Sequence, residues 1–210
     1  MGTKFANVHV KSTNKDEVIS YLKTIAEKAA QKKPNLGKIK LASGIELDDD
    51  FSALLEQADL TKHTYYIGEF NGWISILNDW FEWGTIDTFS EAMSCHIASP
   101  ILTVGYFDDD ILEINIFRSG KRITGHIWCS ESTQEVYGLD MKHADINAFV
   151  ELLGHEHALE IRRILELIDC EQAVIALEKV MNVPLWIHSD WFADMEEQEV
   201  KKKYLKHKMN

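Results

Sequence analysis

The chain has 210 residues and a formal net charge of −12, which is length enough for one large core. The sign of the charge excludes nucleic acid as the expected partner, because affinity for a phosphate backbone comes from cationic contacts that release counterions. With 45% hydrophobic and 27% charged residues, three prolines and eleven glycines, the composition is that of a folded domain, and no uncharged apolar run nears the roughly 18 residues that span a bilayer.

Met1 to Val10 carry no signal-peptide-like apolar run, so a cytoplasmic protein with no membrane partner is expected. Cys95, Cys129 and Cys170 are odd in number, widely spaced and outside any CxxC arrangement, as reduced thiols would be.

In chain order, Lys4 to Lys11 alternates, with Phe5 on one side and Val8 and Val10 on the other, and reads as a first strand. Asn14 with Glu17 forms a capping box ahead of Val18, Leu22, Ile25, Ala26 and Ala29, an apolar stripe at helical spacing that must stop before Pro34. Leu36 to Leu47 reads as two short strands or one bent strand, and Phe51, Leu54 and Leu55 as a short helix after Asp48, Asp49 and Asp50. His63 to Phe70 and Gly72 to Leu77 read as a hairpin turned by Asn71-Gly72. Ile86, Phe89, Met93 and Ile97 mark an amphipathic helix before Pro100.

The centre is a meander of Ile101 to Phe107, Ile111 to Arg118 and Arg122 to Cys129, with loops too short for parallel pairing. Leu112, Ile114 and Ile116 point one way and Glu113 and Asn115 the other, which predicts one buried and one wetter face. A further strand is expected around Glu135 to Leu139. Helical stripes follow: Ile146, Phe149, Val150 and Leu153, closed by Gly154; His157, Ile161, Ile164, Leu165 and Ile168; and Ala173, Val174, Leu177, Val180 and Met181. Asp169 with Gln172 caps the last stripe, and Asn182 with Pro184 ends it. The expected fold is α+β, an antiparallel sheet built from the central three-stranded meander and N-terminal strands, packed by helices, with a helical C-terminal third. It forms one domain over 1–193, sheet-rich to about 140 and helical from about 143, followed by a charged helix or tail over 194–210.

Three groupings carry possible chemistry. His155 and His157 flank Glu156, and imidazoles suit zinc or another divalent metal. Their spacing is not HExxH, however, and they face one ion only from extended backbone, with His143 as a third ligand. Asp108, Asp109 and Asp110 lack the later residues of a calcium loop and read as a charged turn. The stretch holding Trp73, Asp79, Trp80, Phe81, Glu82 and Trp83 is the most unusual. Trp73 belongs to the sheet, whereas Trp80, Phe81 and Trp83 are too close together to be buried on one strand face. With Asp79 and Glu82 they form a candidate surface for a basic, partly apolar partner. Trp186 and Trp191, around His188 and Asp190, are candidates to join them. No GxSxG, Walker or GxGxxG motif is present.

The runs Gly72-Trp73-Ile74-Ser75-Ile76, Asp108-Asp109-Asp110-Ile111-Leu112 and Phe117-Arg118-Ser119-Gly120-Lys121, followed by a helical final third, resemble a family of uncharacterised bacterial proteins over about residues 65–181. That resemblance implies a fold and a bacterial cytosolic origin, and it supplies no catalytic residues. The expected function is therefore a non-enzymatic cytosolic protein-interaction domain that binds a basic protein partner, for instance an immunity-type or antitoxin-like neutraliser, with no cofactor. The alternatives are a metal-dependent hydrolase using His143, His155 and His157, and a small-ligand-binding domain.

Overall fold

Along Lys4–Val10 (β1) the side chains alternate between two sides and both sides are buried, so the strand lies inside the sheet. Phe5 joins one apolar cluster, while Ala6, Val8 and Val10 join another. The computed structural model describes residues 2–32, 64–140 and 144–209. The strands and helix expected over Leu36–Leu55, the acids Asp48 to Asp50, and His63 and His143 lie outside the described residues.

Among the described residues the remaining strands are Thr64–Phe70 (β2), Trp73–Leu77 (β3), Ile101–Phe107 (β4), Ile111–Arg118 (β5), Lys121–Trp128 (β6) and Leu205–Lys208 (β7). They form a seven-stranded sheet in the order β6-β5-β4-β1-β3-β2-β7, and every pairing is antiparallel. Asn71-Gly72 turns β2 into β3 with φ of 43° and 77°, and Ser119-Gly120 turns β5 into β6 with 53° and 72°. These are the positive angles that short hairpins need. At the β4–β5 loop, Asp108 and Asp109 accept hydrogen bonds from the Gly2 and Thr3 amides, each at 3.0 Å. The aspartate run thus anchors the start of β1.

Helices cover both faces. The back face receives Lys15–Lys32 (α1) through Val18, Leu22 and Ala26, and Ile86–Ser94 (α2) through Ile86 and Met93. The front face receives Ile146–Leu153 (α4), Ala158–Leu165 (α5) and Cys170–Met181 (α6), followed by Val183, Leu185 and Ile187. Asn14 caps α1 by accepting from the Glu17 amide, and Asp169 caps α6 by accepting from Gln172. Asn182 ends α6 at φ 53°. Among the described residues no helix is long and apolar enough to cross a membrane.

Four local expectations change. Residues 131–137 form a helix, Glu131–Tyr137 (α3), where the sequence suggested a strand. Ser130 caps it through the Thr133 amide and Gly138 closes it in the left-handed region, and these end signals outweigh a weak β pattern. Ile168 falls beyond the end of α5 and is 73% exposed, so it leaves the second apolar stripe. The side of β5 expected to be wetter is covered by α2, and Glu113 and Asn115 are buried. Finally, within the stretch read as a charged helix or tail, Gln198–Lys203 (α7) is helical but Leu205–Lys208 pairs with β2. Lysines on a short edge strand are a common guard against further pairing.

Candidate functional site

β1 is bonded to β4 along its whole length but to β3 only at Val8–Val10, so among the described residues no strand covers one edge of its first half. Where β3 ends, Asn78 bends the chain away: its side-chain amide donates to the Thr64 carbonyl and its Oδ1 accepts from the Trp80 amide, both at 2.8 Å. The bend carries Asp79, Phe81, Glu82 and Trp83 around the uncovered edge. From the front the chain after Leu185 closes the same notch. Between them lies a cleft of about 320 Å³, lined by Lys4 and Phe5 of β1, Tyr106 and Phe107 of β4, His188, and every residue of the 79–83 loop except Trp80.

The back wall of the cleft is Trp83. Its indole N–H donates to Glu113 Oε2 at 3.0 Å; the Asn115 amide donates to Glu113 Oε1 at 2.9 Å and to Asp87 Oδ2 at 2.7 Å; the Thr103 hydroxyl donates to Asp87 Oδ1 at 3.0 Å. This chain of bonds runs from α2 through β4 and β5 to the ring and fixes its orientation. Gly105 makes the position possible, because a Cβ there would lie 2.9 Å from Trp83 Cδ1. The indole also rests on Phe107, with ring centroids 5.0 Å apart, and meets the edge of Tyr137.

The front wall hangs from β1. Asn7, fully buried, donates to the carbonyls of Leu185 at 2.8 Å and Ile187 at 3.1 Å. Both amide hydrogens are thereby used, so Asn7 Oδ1 is the acceptor for His9 Nε2 at 2.7 Å, and His9 carries its hydrogen on Nε2. Burial pushes the His9 pKa down to about 3, which keeps the ring neutral. Glu178 Oε1 accepts from the Leu185 and Trp186 amides. Burial raises the Glu178 pKa, while those two bonds act in the opposite direction. His188 Nδ1 accepts from the Asp190 amide at 3.3 Å, capping the short 3-10 turn Ser189–Ala193. The Ser189 hydroxyl donates to Asp79 Oδ1, which joins the two walls.

The side chains singled out from sequence therefore divide. Asp79, Glu82 and the half-buried Trp83 line the cleft, and Phe81 does so while packed inward on Phe89 and Tyr65. Trp80 does not line it and is 50% exposed. Trp186 and Trp191 pack on the Phe5 ring and line an adjoining recess with Gly2, Thr3 and Lys4. His155 and His157 share one 3-10 turn, His155–His157, where positions two apart diverge by about 120° around the axis. His157 lies 3.9 Å from Glu156 and 3.8 Å from Glu160, and among the described residues no group of three or more His, Cys, Asp or Glu is arranged to hold a metal ion.

Lys4, Tyr106, Phe107 and His188 were not foreseen in the cleft, nor was the Asp87–Asn115–Glu113 support. One signal was available: an acid and an amide alternating with Leu112, Ile114 and Ile116 in a central strand demand partners if the far face is covered. Fold and cleft define an α+β protein whose antiparallel sheet, helical on both faces, opens at one end into an aromatic and acidic recess. No protein-family model, curated protein or solved structure matches this chain, so its function is argued from its own residues.

Proposed function

We propose that this protein is a non-enzymatic interaction domain of the cytoplasm that holds a basic, partly apolar segment of a partner protein in the cleft between Trp83 and His188. The observation that carries the reading is the convergence of aromatic walls (Phe5, Phe81, Trp83, Tyr106 and Phe107) with the carboxylates of Asp79 and Glu82 in one recess. Among the described residues the Glu82 carboxylate has no side-chain partner. A cation over an aromatic face gains about 0.5–2 kcal/mol depending on desolvation, and the −12 charge of the chain steers basic partners toward it. Tyr137, 41% exposed and edge-on to Trp83, adds an accessible aromatic of a type enriched at interface hot spots. The free thiols of Cys95, Cys129 and Cys170 suit a reducing compartment. Neutralising a basic toxin is one task such a surface fits.

The test is fluorescence anisotropy with a labelled peptide of alternating arginine and leucine, against the same peptide with citrulline in place of arginine. Binding of the arginine peptide should weaken steeply between low and high salt. It should fall about ten-fold or more in Trp83→Leu and several-fold in Glu82→Gln, while Ile168→Ala, far along the chain and exposed, leaves it unchanged. Binding that ignores both cleft substitutions, or equal binding of the citrulline peptide, would sink the proposal.

A further inference from the structure

Lys4 already places a cation in this cleft. Its Nζ lies 4.1 Å from the centroid of the Phe107 ring and 3.9 Å from Asp108 Oδ1. The backbone beneath it is pinned: the Gly2 and Thr3 amides donate to the carboxylates of Asp108 and Asp109, and the Asp108 amide donates to the Thr3 carbonyl at 2.9 Å. The side chain is half exposed, and its ion pair is long, so little holds the ammonium where it sits. Its four-carbon stem can swing away without disturbing β1.

We infer that Lys4 is an internal occupant of the cleft, and that the group a partner inserts is a basic side chain, ammonium or guanidinium, which displaces the Lys4 ammonium from Phe107. The inference rests on the interaction reading given above. Two like charges do not share one ring face, so the incoming cation and Lys4 exclude each other. The incoming group gains what Lys4 does not engage, the carboxylate of Glu82 and the indole face of Trp83, which stands 5.0 Å from Phe107 between ring centroids. A planar guanidinium can stack on that face and meet a carboxylate together, so arginine should be favoured over lysine. Lys4 then works as a filter: it competes with weak single cations and yields to a segment that also brings apolar contacts.

The full chain, as wild type, Lys4→Met and Lys4→Gln, is titrated with the arginine peptide, its lysine counterpart and the citrulline control. Each variant is checked for an unchanged unfolding midpoint. The expected result is arginine-peptide binding roughly three- to ten-fold tighter in both Lys4 variants than in wild type, a smaller gain for the lysine peptide and none for the citrulline peptide. Binding detected only in the Lys4 variants supports the inference equally. If wild type binds through Glu82 and Trp83 but both variants bind equally or more weakly, Lys4 is no competitor and the inference falls, while the interaction reading stands. If no form binds either basic peptide, both fall.

Discussion

The front and back of the sheet each bury a polar cluster, and the two are built from different chemistry. On the front, Asn7 and His9 are both completely buried; the Asn7 amide donates to two backbone carbonyls, and the neutral His9 ring donates to the Asn7 side chain. On the back, Asn115 bridges the carboxyl groups of Asp87 and Glu113, and Asp87 keeps partial contact with solvent at the margin of α2. The deep site admits only groups that are neutral at ordinary pH, because an ion there would lose its hydration with nothing to replace it, whereas the marginal site tolerates acids that reach water and share donors. Each cluster supports one wall of the cleft. The front cluster fixes main chain leading to His188, and the back cluster fixes one side chain, Trp83. Loss of the front cluster should therefore show as global instability, and loss of the back cluster as a loosened indole.

Asn7→Leu offers the strongest test of that contrast. The substitution keeps volume but strands the Ile187 carbonyl and the His9 N–H in the core, and leaves the Leu185 carbonyl only the Ile187 amide as donor. At about 1–3 kcal/mol for each buried group left unpaired, a loss of roughly 3–5 kcal/mol is expected in urea unfolding. A loss under about 1 kcal/mol would mean that water reaches these groups, and the distinction between a sealed front and a marginal back would collapse.

Asn115→Leu should cost less, about 2–3 kcal/mol, because Thr103 still donates to Asp87 and Trp83 still donates to Glu113. Its more specific effect should fall on Trp83, whose acceptor loses its second support. Red-shifted tryptophan emission in the folded state and weaker arginine-peptide binding are expected, in excess of any change in Asn7→Leu measured at matched fraction folded. Unchanged emission would mean that Phe107 and Gly105 alone hold the ring.

Much of this was legible along the chain, for reasons that residues make plain. Asn14, Asn71-Gly72, Asp169 and Asn182 act on neighbours a few positions away, and each does locally what its side chain favours. Strand alternation separated Phe5 from Val8 and Val10 correctly. What alternation cannot state is whether a second element covers the other face, and so Glu113 and Asn115 looked wet until α2 placed Asp87 over them. The order of the sheet was similarly hidden, because β1 enters between β3 and β4 through pairings that no local pattern encodes. The cleft shows both limits. Asp79, Phe81, Glu82 and Trp83 were conspicuous as neighbours in sequence, but Lys4, Tyr106, Phe107 and His188 reach them from three other segments.

The smallest of the expected effects separates the two clusters by pH. His9 has an ordinary pKa of 6.5 and is pushed down to about 3 in the folded protein by burial. Above pH 6.5 both states are neutral at this residue and it adds no pH dependence. Below that, the unfolded chain takes up a proton that the folded chain refuses, so stability falls with falling pH until the folded state also titrates near pH 3. One pH unit of such a gap corresponds to about 1.4 kcal/mol, which gives a loss of roughly 2 kcal/mol from this group by pH 5. His207, only partly buried, also has a lowered pKa, from desolvation and then from Lys15 and Lys23, and should add a weaker slope of the same sign. His9→Gln keeps a donor for Asn7 but cannot titrate, so its unfolding free energy should decline less than that of wild type between pH 6.5 and 5. Equal slopes would show that His9 accepts its proton in the folded state, through water at Nδ1, which has no partner among the described residues. The front cluster would then be as open to solvent as the back.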